Sequence, residues 1–123
     1  MVSTPVLFDT NILIDYLRGI PQARAECGSH ADRAVSIVSW MEVMVGSTAA
    51  NEPDARSFLQ NFYTLPLGAD VAERAFLLRR SSRIKLPDAI IQATAEAAGR
   101  VLITRNTRDF PADAPGVRIP YTL

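Results

Sequence analysis

The sequence predicts an α/β fold, a three-layer α/β/α sandwich around a mainly parallel sheet of four or five strands. Short apolar runs at residues 6–8, 34–38 and 101–104 alternate with longer stretches in which apolar residues recur at helical spacing. Parallel strands need helical crossovers, and these cover both faces of the sheet. Because 123 residues is an ordinary length for one domain, we expect residues 1–123 to form a single unit.

The first strand-and-helix pair opens the chain. Strand 6–8 stops at the polar residue Asp9, after which apolar residues keep a helical period as far as Leu17. A second helical piece over 22–27 then leads to strand 34–38, so the N-terminal part of the chain supplies two strands.

A capping pattern predicts the start of the next helix. Ser39 and Glu42 stand three residues apart, which is the spacing of a capping box, and Gly46 suits the end of that helix. The turn-like residues 51–54 follow, and residues 55–62 have a helical pattern.

The C-terminal half begins with a long helical pattern over 69–80. The next helix has Pro87 in its first turn, where proline is tolerated, and Gly99 as its C-terminal cap. Strand 101–104 and a last strand at 117–119 complete the predicted sheet.

Composition excludes several classes of protein. Thirteen basic residues balance thirteen acidic ones, so any binding to nucleic acid must come from local clusters. A single cysteine, Cys27, and a single histidine, His30, leave no internal disulfide and no Cys/His zinc site. We expect His30 at the surface. The sequence has no export signal or long apolar stretch, and we expect a cytoplasmic protein without membrane contact.

Four acidic residues are placed to meet at one edge of the predicted sheet. Asp9 follows the first strand, Glu42 lies one turn into a helix, Asp88 opens another helix and Asp109 lies in the loop after strand 101–104. Polar groups at the carboxyl ends of parallel strands converge in one crevice. Crowded carboxylates need a counter-ion, and oxygen ligands suit Mg²⁺ or Mn²⁺. The pattern therefore favours metal-assisted hydrolysis of phosphodiester bonds.

Each acid also has a purely structural interpretation. Asp9 and Glu42 could only cap helices, Asp88 could only complement a helix dipole, and Asp109 could only stabilise a turn. Taken singly these alternatives are adequate, and it is the joint pattern that favours a metal site.

Four segments of the chain resemble a known family. They are FDTNILIDYL at 8–17, SWMEVMVG at 39–46, LPDAIIQATA at 86–95 and LITRNTRDF at 102–110. In this order they resemble a PIN-domain ribonuclease, in particular the VapC toxin of type II toxin-antitoxin modules. The resemblance implies a Mg²⁺-dependent (or Mn²⁺-dependent) endoribonuclease that acts on RNA such as tRNA or rRNA. It also implies a homodimer and a cognate VapB-like antitoxin that binds the toxin in a hetero-oligomer.

The resemblance also implies roles for individual residues. Asp9, Glu42 and Asp88 are the expected metal ligands and catalytic acids, and we expect Asp109 to be the fourth. Asn106 stands where many PIN domains place an aspartate, so the fourth position is left open between a ligand and an orienting group.

Supporting polar residues surround the expected acids in the sequence. The resemblance implies that Thr10, Asn11 and Thr104 hydrogen-bond the acids or the scissile phosphate, and that Ser39 holds the turn before Glu42. We expect Asp15, further along the same helix, at the surface or in an interface.

Arginine dominates the basic residues, twelve of the thirteen, which suits contacts to phosphate. The expected RNA contacts are Arg79, Arg80, Arg83, Lys85, Arg105 and Arg108. The alternative is a solvated helix face without function.

Two other functions are compatible with an acidic edge on an α/β sheet. A phosphoacceptor receiver-like signalling module also places an acid after its first strand, but it needs a lysine after the last strand, and Lys85 precedes a helix. A structure-specific DNA nuclease could use the same acids.

Apolar residues in the middle of the chain exceed what one small sheet face needs, and we expect them to form a symmetric dimer interface. They are Phe58, Leu59, Phe62, Tyr63, Phe76 and Leu77.

Overall fold

The computed structural model of the chain describes residues 4–123, and within them five strands alternate with six helices. In chain order they are β1 (Val6–Phe8), α1 (Thr10–Leu17), α2 (Pro21–Gly28), β2 (Arg33–Ser36), α3 (Ile37–Val45), α4 (Glu52–Leu59), β3 (Tyr63–Leu65), α5 (Ala69–Ser81), α6 (Leu86–Ala97), β4 (Val101–Ile103) and β5 (Val117–Arg118). All strand pairs are parallel, so the predicted α/β class is confirmed.

The sheet has the strand order β3-β2-β1-β4-β5, with β1 in the centre. From β1 the chain first builds outward through β2 and β3, and then crosses to the other side for β4 and β5. The reversal creates a crevice at the carboxyl end of β1, where ligands of open α/β sheets bind. Receiver modules have the order 2-1-3-4-5. The topology therefore excludes the receiver-like alternative.

Two hydrophobic cores lie on the two faces of the sheet. Helices α1 to α4 pack on one face around the fully buried side chains of Phe8, Ile12 and Leu13. Helices α5 and α6 pack on the other face around Leu7 and Leu102. The three inner strands β1, β2 and β4 are largely buried on both faces, which explains why the sequence shows short continuous apolar runs there.

The predicted capping box at Ser39 is wrong. Strand β2 ends at Ser36, and the Ser36 hydroxyl accepts a 3.1 Å hydrogen bond from the backbone N–H of Val38, so α3 begins at Ile37. Ser39 therefore lies inside the helix, where it is buried. Two serines with capping chemistry stand three residues apart, and the first of them starts the helix.

The middle of the chain also departs from expectation. Helix α4 ends at Leu59, and strand β3, which the sequence did not predict, follows at the sheet edge. Phe58, Leu59 and Phe62 are buried in the core, so these three are not available to a dimer interface. The other predicted interface residues, Tyr63, Phe76 and Leu77, are exposed.

His30, which we expected at the surface, is only partly exposed. Its Nε2 atom lies 2.8 Å from the Glu26 carboxylate, and its ring meets the Phe8 ring edge-on at 5.9 Å. Cys27 is buried and free. Across residues 4–123, no helix is both long and apolar enough to cross a membrane.

Candidate active site

Asp9 lies at the centre of the sheet edge, directly after β1. Its backbone N–H donates a 2.8 Å hydrogen bond to the Ile103 carbonyl, which extends the β1–β4 pairing by one residue. The backbone then turns into α1, with Asp9 as the N-cap residue. Asp9 is only 3% exposed, so strand pairing and helix capping together hold its carboxylate in the crevice.

Three donors hold the Asp9 carboxylate. The Thr10 backbone N–H donates to Oδ1 at 2.7 Å, and the Thr104 hydroxyl donates to Oδ2 at 2.8 Å. The Asn11 amide donates to Oδ2 at 3.3 Å and to the Thr104 hydroxyl at 3.2 Å. The structure therefore places the predicted helpers Thr10, Asn11 and Thr104 around this acid.

The pKa of Asp9 is raised to about 6. Burial is the largest cause, and the hydrogen bonds from Thr104 and Thr10 offset only part of it. The neighbouring carboxylates of Asp88 and Glu42 raise the pKa further by repulsion. Within residues 4–123 no arginine or lysine forms an ion pair with Asp9. No ion pair in this part of the chain thus neutralises its negative charge.

Glu42 reaches the same edge from α3. It is exposed, and its Oε1 accepts a 2.7 Å hydrogen bond from the Thr10 hydroxyl, which is also 2.9 Å from the Ser39 hydroxyl. Ser39 therefore links α3 to α1 from within the helix instead of holding the turn before it. Thr10 contacts Asp9 through its backbone and Glu42 through its side chain, so one residue connects two of the acids.

Asp88 and Asp109 complete the acidic edge. Asp88 lies half-buried in the first turn of α6. Burial raises its pKa, Asp109 and Glu42 raise it further, and Lys85 acts in the opposite direction. Asp109 accepts a 2.9 Å hydrogen bond from the Asn106 amide, and its own N–H donates to Asn106 Oδ1 at 3.3 Å. In this conformation Asn106 orients Asp109.

The four acids are electrostatic neighbours, because Asp88 and Glu42 act on Asp9 while Asp109 acts on Asp88. In the described part of the chain, however, no three His, Cys, Asp or Glu side chains stand close enough together to enclose a metal ion. The donor set still fits a hard divalent cation, since it offers only oxygen ligands and a cation would relieve the mutual repulsion.

The predicted RNA contacts fall into two groups. Those on and after α5 are exposed: Arg79, Arg80, Arg83 and Lys85. The Arg80 guanidinium lies over the Phe76 ring, 4.7 Å from its centroid. Arg108 is exposed beside Asp109. Arg105 instead turns inward, where its guanidinium binds Asp15.

The expectation that Asp15 lies at the surface or in an interface is wrong. Asp15 is 2% exposed and accepts hydrogen bonds from Arg105 and Tyr121. A signal for this was present in the sequence, because Asp15 follows Ile12 by three residues and so shares the apolar face of α1. Its partner Arg105 is 90 residues away in the chain, and no local pattern predicts that pairing.

Comparisons with known proteins agree with this architecture. The PIN domain family matches residues 6–113. Ribonuclease VapC10 of Mycobacterium tuberculosis is 32% identical over 114 residues, which cover 86% of each chain. A toxin-antitoxin complex from Klebsiella pneumoniae contains a chain with a TM-score of 0.89 and 45% identity, covering 96% of this chain and 99% of that one.

A second solved structure, FitAcB from Neisseria gonorrhoeae, has a TM-score of 0.78 and 25% identity, with coverage of 96% of this chain and 99% of that chain. The family match includes all four acids of the acidic edge, since Asp9 and Asp109 both lie within it. The curated relative matches over most of both lengths. The chain therefore belongs to the PIN domain family, as a VapC-type member.

Proposed function

We propose that this protein is a metal-dependent endoribonuclease toxin, which hydrolyses RNA phosphodiester bonds with water. The observation that carries the proposal is the buried, uncompensated carboxylate of Asp9 among Glu42, Asp88 and Asp109. Uncompensated like charges in a crevice are typical of functional sites, because the fold alone gains nothing from them. The ribonuclease activity in the name of the Mycobacterium tuberculosis relative supports the choice of RNA.

The proposed cofactor is Mg²⁺, with Mn²⁺ as its substitute. Asp9, Glu42, Asp88 and Asp109 would hold it, since their oxygen-only donor set suits hard cations. When bound, a divalent ion lowers the pKa of a water and stabilises the leaving oxygen of the phosphodiester.

The remaining polar residues position the acids. Thr104 and the Thr10 N–H fix both oxygens of Asp9, the Thr10 hydroxyl holds Glu42, and Asn106 holds Asp109. Groups that are already oriented cost little entropy when substrate binds, which is how such contacts increase the rate.

RNA binding is assigned to the exposed bases near the acids. Arg79 and Arg80 lie in the last turns of α5, and Arg83 and Lys85 lie in the connection to α6, which begins just before Asp88. We include Arg108 beside Asp109, but not Arg105, whose side chain binds Asp15. Structured RNA such as tRNA or rRNA is the proposed substrate class.

Exchanging Arg79, Arg80, Arg83 and Lys85 together for glutamine tests this surface. Each lost phosphate contact reduces the salt dependence of binding, so the slope of log affinity against log salt should fall while Mn²⁺ affinity is kept. An unchanged slope, measured by fluorescence anisotropy with a tRNA, would favour the alternative that these residues form a solvated helix face without a role in RNA binding.

The proposed partner is a VapB-like antitoxin. A cleft of about 320 Å³ lies between α1, α3 and α4, with Ile14, Leu17, Val43 and Ala55 in its lining and Glu42 on its wall. We propose that the C-terminal segment of the antitoxin occupies this cleft, because a chain bound there would cover Glu42 and prevent RNA from reaching the acids.

The proposed homodimer uses the apolar surface that remains exposed. Phe76 and Leu77 of α5 are about half exposed, at 46% and 47%. Phe76 also lines a groove of about 500 Å³ together with Leu67 and Leu86. Phe76→Asp should give a monomer in sedimentation at tens of micromolar. A dimer that survives this change would place the interface elsewhere.

RNA cleavage by the purified protein tests the proposed function. We expect cleavage of total RNA with Mg²⁺, none with EDTA, and none by the Asp9→Asn, Asp88→Asn double variant, which should also lose Mn²⁺ binding in calorimetry. Expression without a partner should stop growth. Soluble, folded protein that leaves RNA intact with Mg²⁺ would overturn the proposal. Cleavage of DNA in preference to RNA would favour the DNA nuclease alternative.

A further inference from the structure

Asp15 lies outside the acidic edge, yet its carboxylate accepts three short hydrogen bonds. Arg105 Nε donates to Oδ2 at 2.6 Å and Arg105 Nη2 donates to Oδ1 at 3.0 Å, which forms a bidentate pair. The Tyr121 hydroxyl donates to Oδ2 at 2.9 Å. Three donors thus converge on one carboxylate in the last turn of α1.

Arg105 stands between the two residues that orient the acids. Thr104 precedes it and binds Asp9, while Asn106 follows it and binds Asp109. The backbone around Arg105 is tied down as well. Its N–H donates to Asn11 Oδ1 at 3.3 Å, and the Asn106 N–H donates to the Thr104 hydroxyl at 3.0 Å.

The Arg105 side chain therefore anchors the middle of the loop that follows β4. Without that anchor, residues 104–106 would depend on the backbone hydrogen bonds of Thr104 with Arg118 and of Asn106 with Phe110, both 3.1 Å, and on hydrogen bonds between the site residues themselves. A shift of even one ångström at a reacting centre can lower the rate by about a hundredfold.

We infer that Asp15 is a positioning residue: by binding Arg105 and Tyr121 it fixes the loop after β4 against α1, and so holds Thr104 on Asp9 and Asn106 on Asp109. This inference rests on the proposed nuclease function. Asp15 contacts neither substrate nor metal in it. Its effect on the reaction passes through the backbone of residues 104–106.

The chain supplies a matched control. Glu26 of α2 is also buried, and it also binds an arginine side-on, since Arg118 Nε and Nη2 donate to it at 2.7 and 3.0 Å. It has a second partner residue in His30, as Asp15 has in Tyr121. Arg118 lies in β5, however, and it contacts the loop that carries the site residues through its backbone carbonyl, which accepts a 3.1 Å hydrogen bond from the Thr104 N–H. Glu26→Gln therefore breaks an equivalent buried pair away from the acids.

The experiment compares Asp15→Asn with Glu26→Gln in RNA cleavage and in amide hydrogen exchange of the otherwise native, full-length chain. Asp15→Asn should lower kcat about tenfold or more with little change in KM, because positioning partners of a metal site typically contribute about 10-fold to 100-fold. The Arg105 and Asn106 amides should exchange faster. Glu26→Gln should leave kcat within about twofold and those amides unchanged, since Glu26 binds the side chain of Arg118, whereas the loop is bonded to the Arg118 backbone carbonyl.

Equal losses of kcat in both variants, or unchanged exchange at Arg105 and Asn106 in Asp15→Asn, would overturn the inference. Wild-type protein without ribonuclease activity would instead overturn the proposed function, and the inference with it. If Asp15→Asn does not fold, Arg105→Lys replaces it, because lysine keeps a charge beside Asp15 but cannot make the bidentate pair. Faster exchange of the Asn106 amide in that variant is then required, and unchanged exchange overturns the inference.

Discussion

Asp9 and Asp15 lie at opposite ends of one short helix, and both are almost completely buried, at 3% and 2% exposure. Their pKa values nevertheless move in opposite directions. Burial raises the pKa of Asp9 to about 6, and its hydrogen bonds do not compensate. Burial also acts to raise the pKa of Asp15, but the hydrogen bonds and charge of Arg105, together with Tyr121, hold it below the usual value.

Both side chains are closed off from solvent, but Asp9 lies deeper and its partners differ. Asp15 is paired with the guanidinium of Arg105, so its charged form is favoured in the native state. Asp9 accepts hydrogen bonds from neutral donors and is repelled by neighbouring carboxylates, so its charge is a cost that the fold bears. A buried acid that the protein leaves uncompensated marks a binding site for a positive group, whereas a compensated one holds secondary structure together.

The largest expected effect is that of replacing Asp9, which should lower the rate of RNA cleavage but not the free energy of unfolding. Asp9→Asn should reduce RNA cleavage by more than about a hundredfold, since even partners that merely orient a metal site contribute about 10-fold to 100-fold. It should not lower the free energy of unfolding, because asparagine still caps α1 and carries no buried charge.

Urea denaturation and initial rates measure both effects, with the exposed Asp113→Asn as the control, which should leave both unchanged. A less stable Asp9→Asn protein would show that Asp9, like Asp15, serves the fold.

The pH dependence of stability should have opposite signs for the two acids. Asp9 has a pKa of about 6 in the native state and 3.8 in the unfolded chain, so the native state binds more protons between these values and is destabilised as pH rises through them. The difference corresponds to roughly 3 kcal/mol at most. Asp15 stabilises the fold above 3.8, and its contribution is lost as pH falls through its lowered native pKa.

Urea titrations from pH 4 to 8 therefore should show a decline in wild-type stability that is smaller in Asp9→Asn. Asp88, whose pKa is also raised, keeps part of the decline in the variant. Parallel curves for the two proteins would mean that Asp9 does not titrate in this range.

The position of Asp9, the acid with the proposed functional role, could be predicted from the sequence better than that of Asp15. Asp9 follows an apolar strand and opens a helix, and both signals are local, so its position at the sheet edge could be predicted. Asp15 depends on Arg105 and Tyr121, which only the fold brings near. His30 is a mixed case: its partner Glu26 is only four residues away in the chain, but its neighbour Phe8 lies in β1 and is brought near by the fold.

Most of the elements could be predicted because their boundaries have local chemistry. Gly99 ends α6 in the left-handed region at a φ of 64°, as a C-terminal glycine does. Strand β3 could not be predicted, because it is a three-residue edge strand with two exposed side chains and lacks an apolar pattern. The predicted cap at Ser39 was wrong because Ser36 has the same capping chemistry and comes first in the chain.

A smaller effect should follow from removing one hydrogen bond to Asp9 while the acid itself is kept. Thr104→Val keeps the shape of the buried side chain but removes the 2.8 Å hydrogen bond to Asp9. The pKa of Asp9 should rise, because that bond favours the ionised form. We expect cleavage to fall about tenfold at pH 7, and by less at higher pH, where Asp9 is again ionised.

Thr94→Val is the matched control, since Thr94 is buried too but donates to the Ile90 carbonyl within α6. It should leave the pH profile unchanged. A loss of activity in Thr104→Val that is the same at every pH would mean that Thr104 acts by some route other than the charge of Asp9.

The smallest expected effect tests the other acid. Tyr121→Phe removes one of the three donors to Asp15 and should cost about 1 kcal/mol of unfolding free energy at pH 7, the usual net contribution of a hydrogen bond. The pKa of Asp15 should then move toward its ordinary value. Because the hydroxyl stabilises the ionised form, its loss should cost less as the pH falls below 4 and Asp15 becomes protonated, so the two stability curves should converge in acid. Tyr63→Phe, at an exposed position, should cost nothing at either pH. A cost for Tyr121→Phe that is constant with pH would mean that the tyrosine stabilises the fold through packing, and that Arg105 alone compensates Asp15.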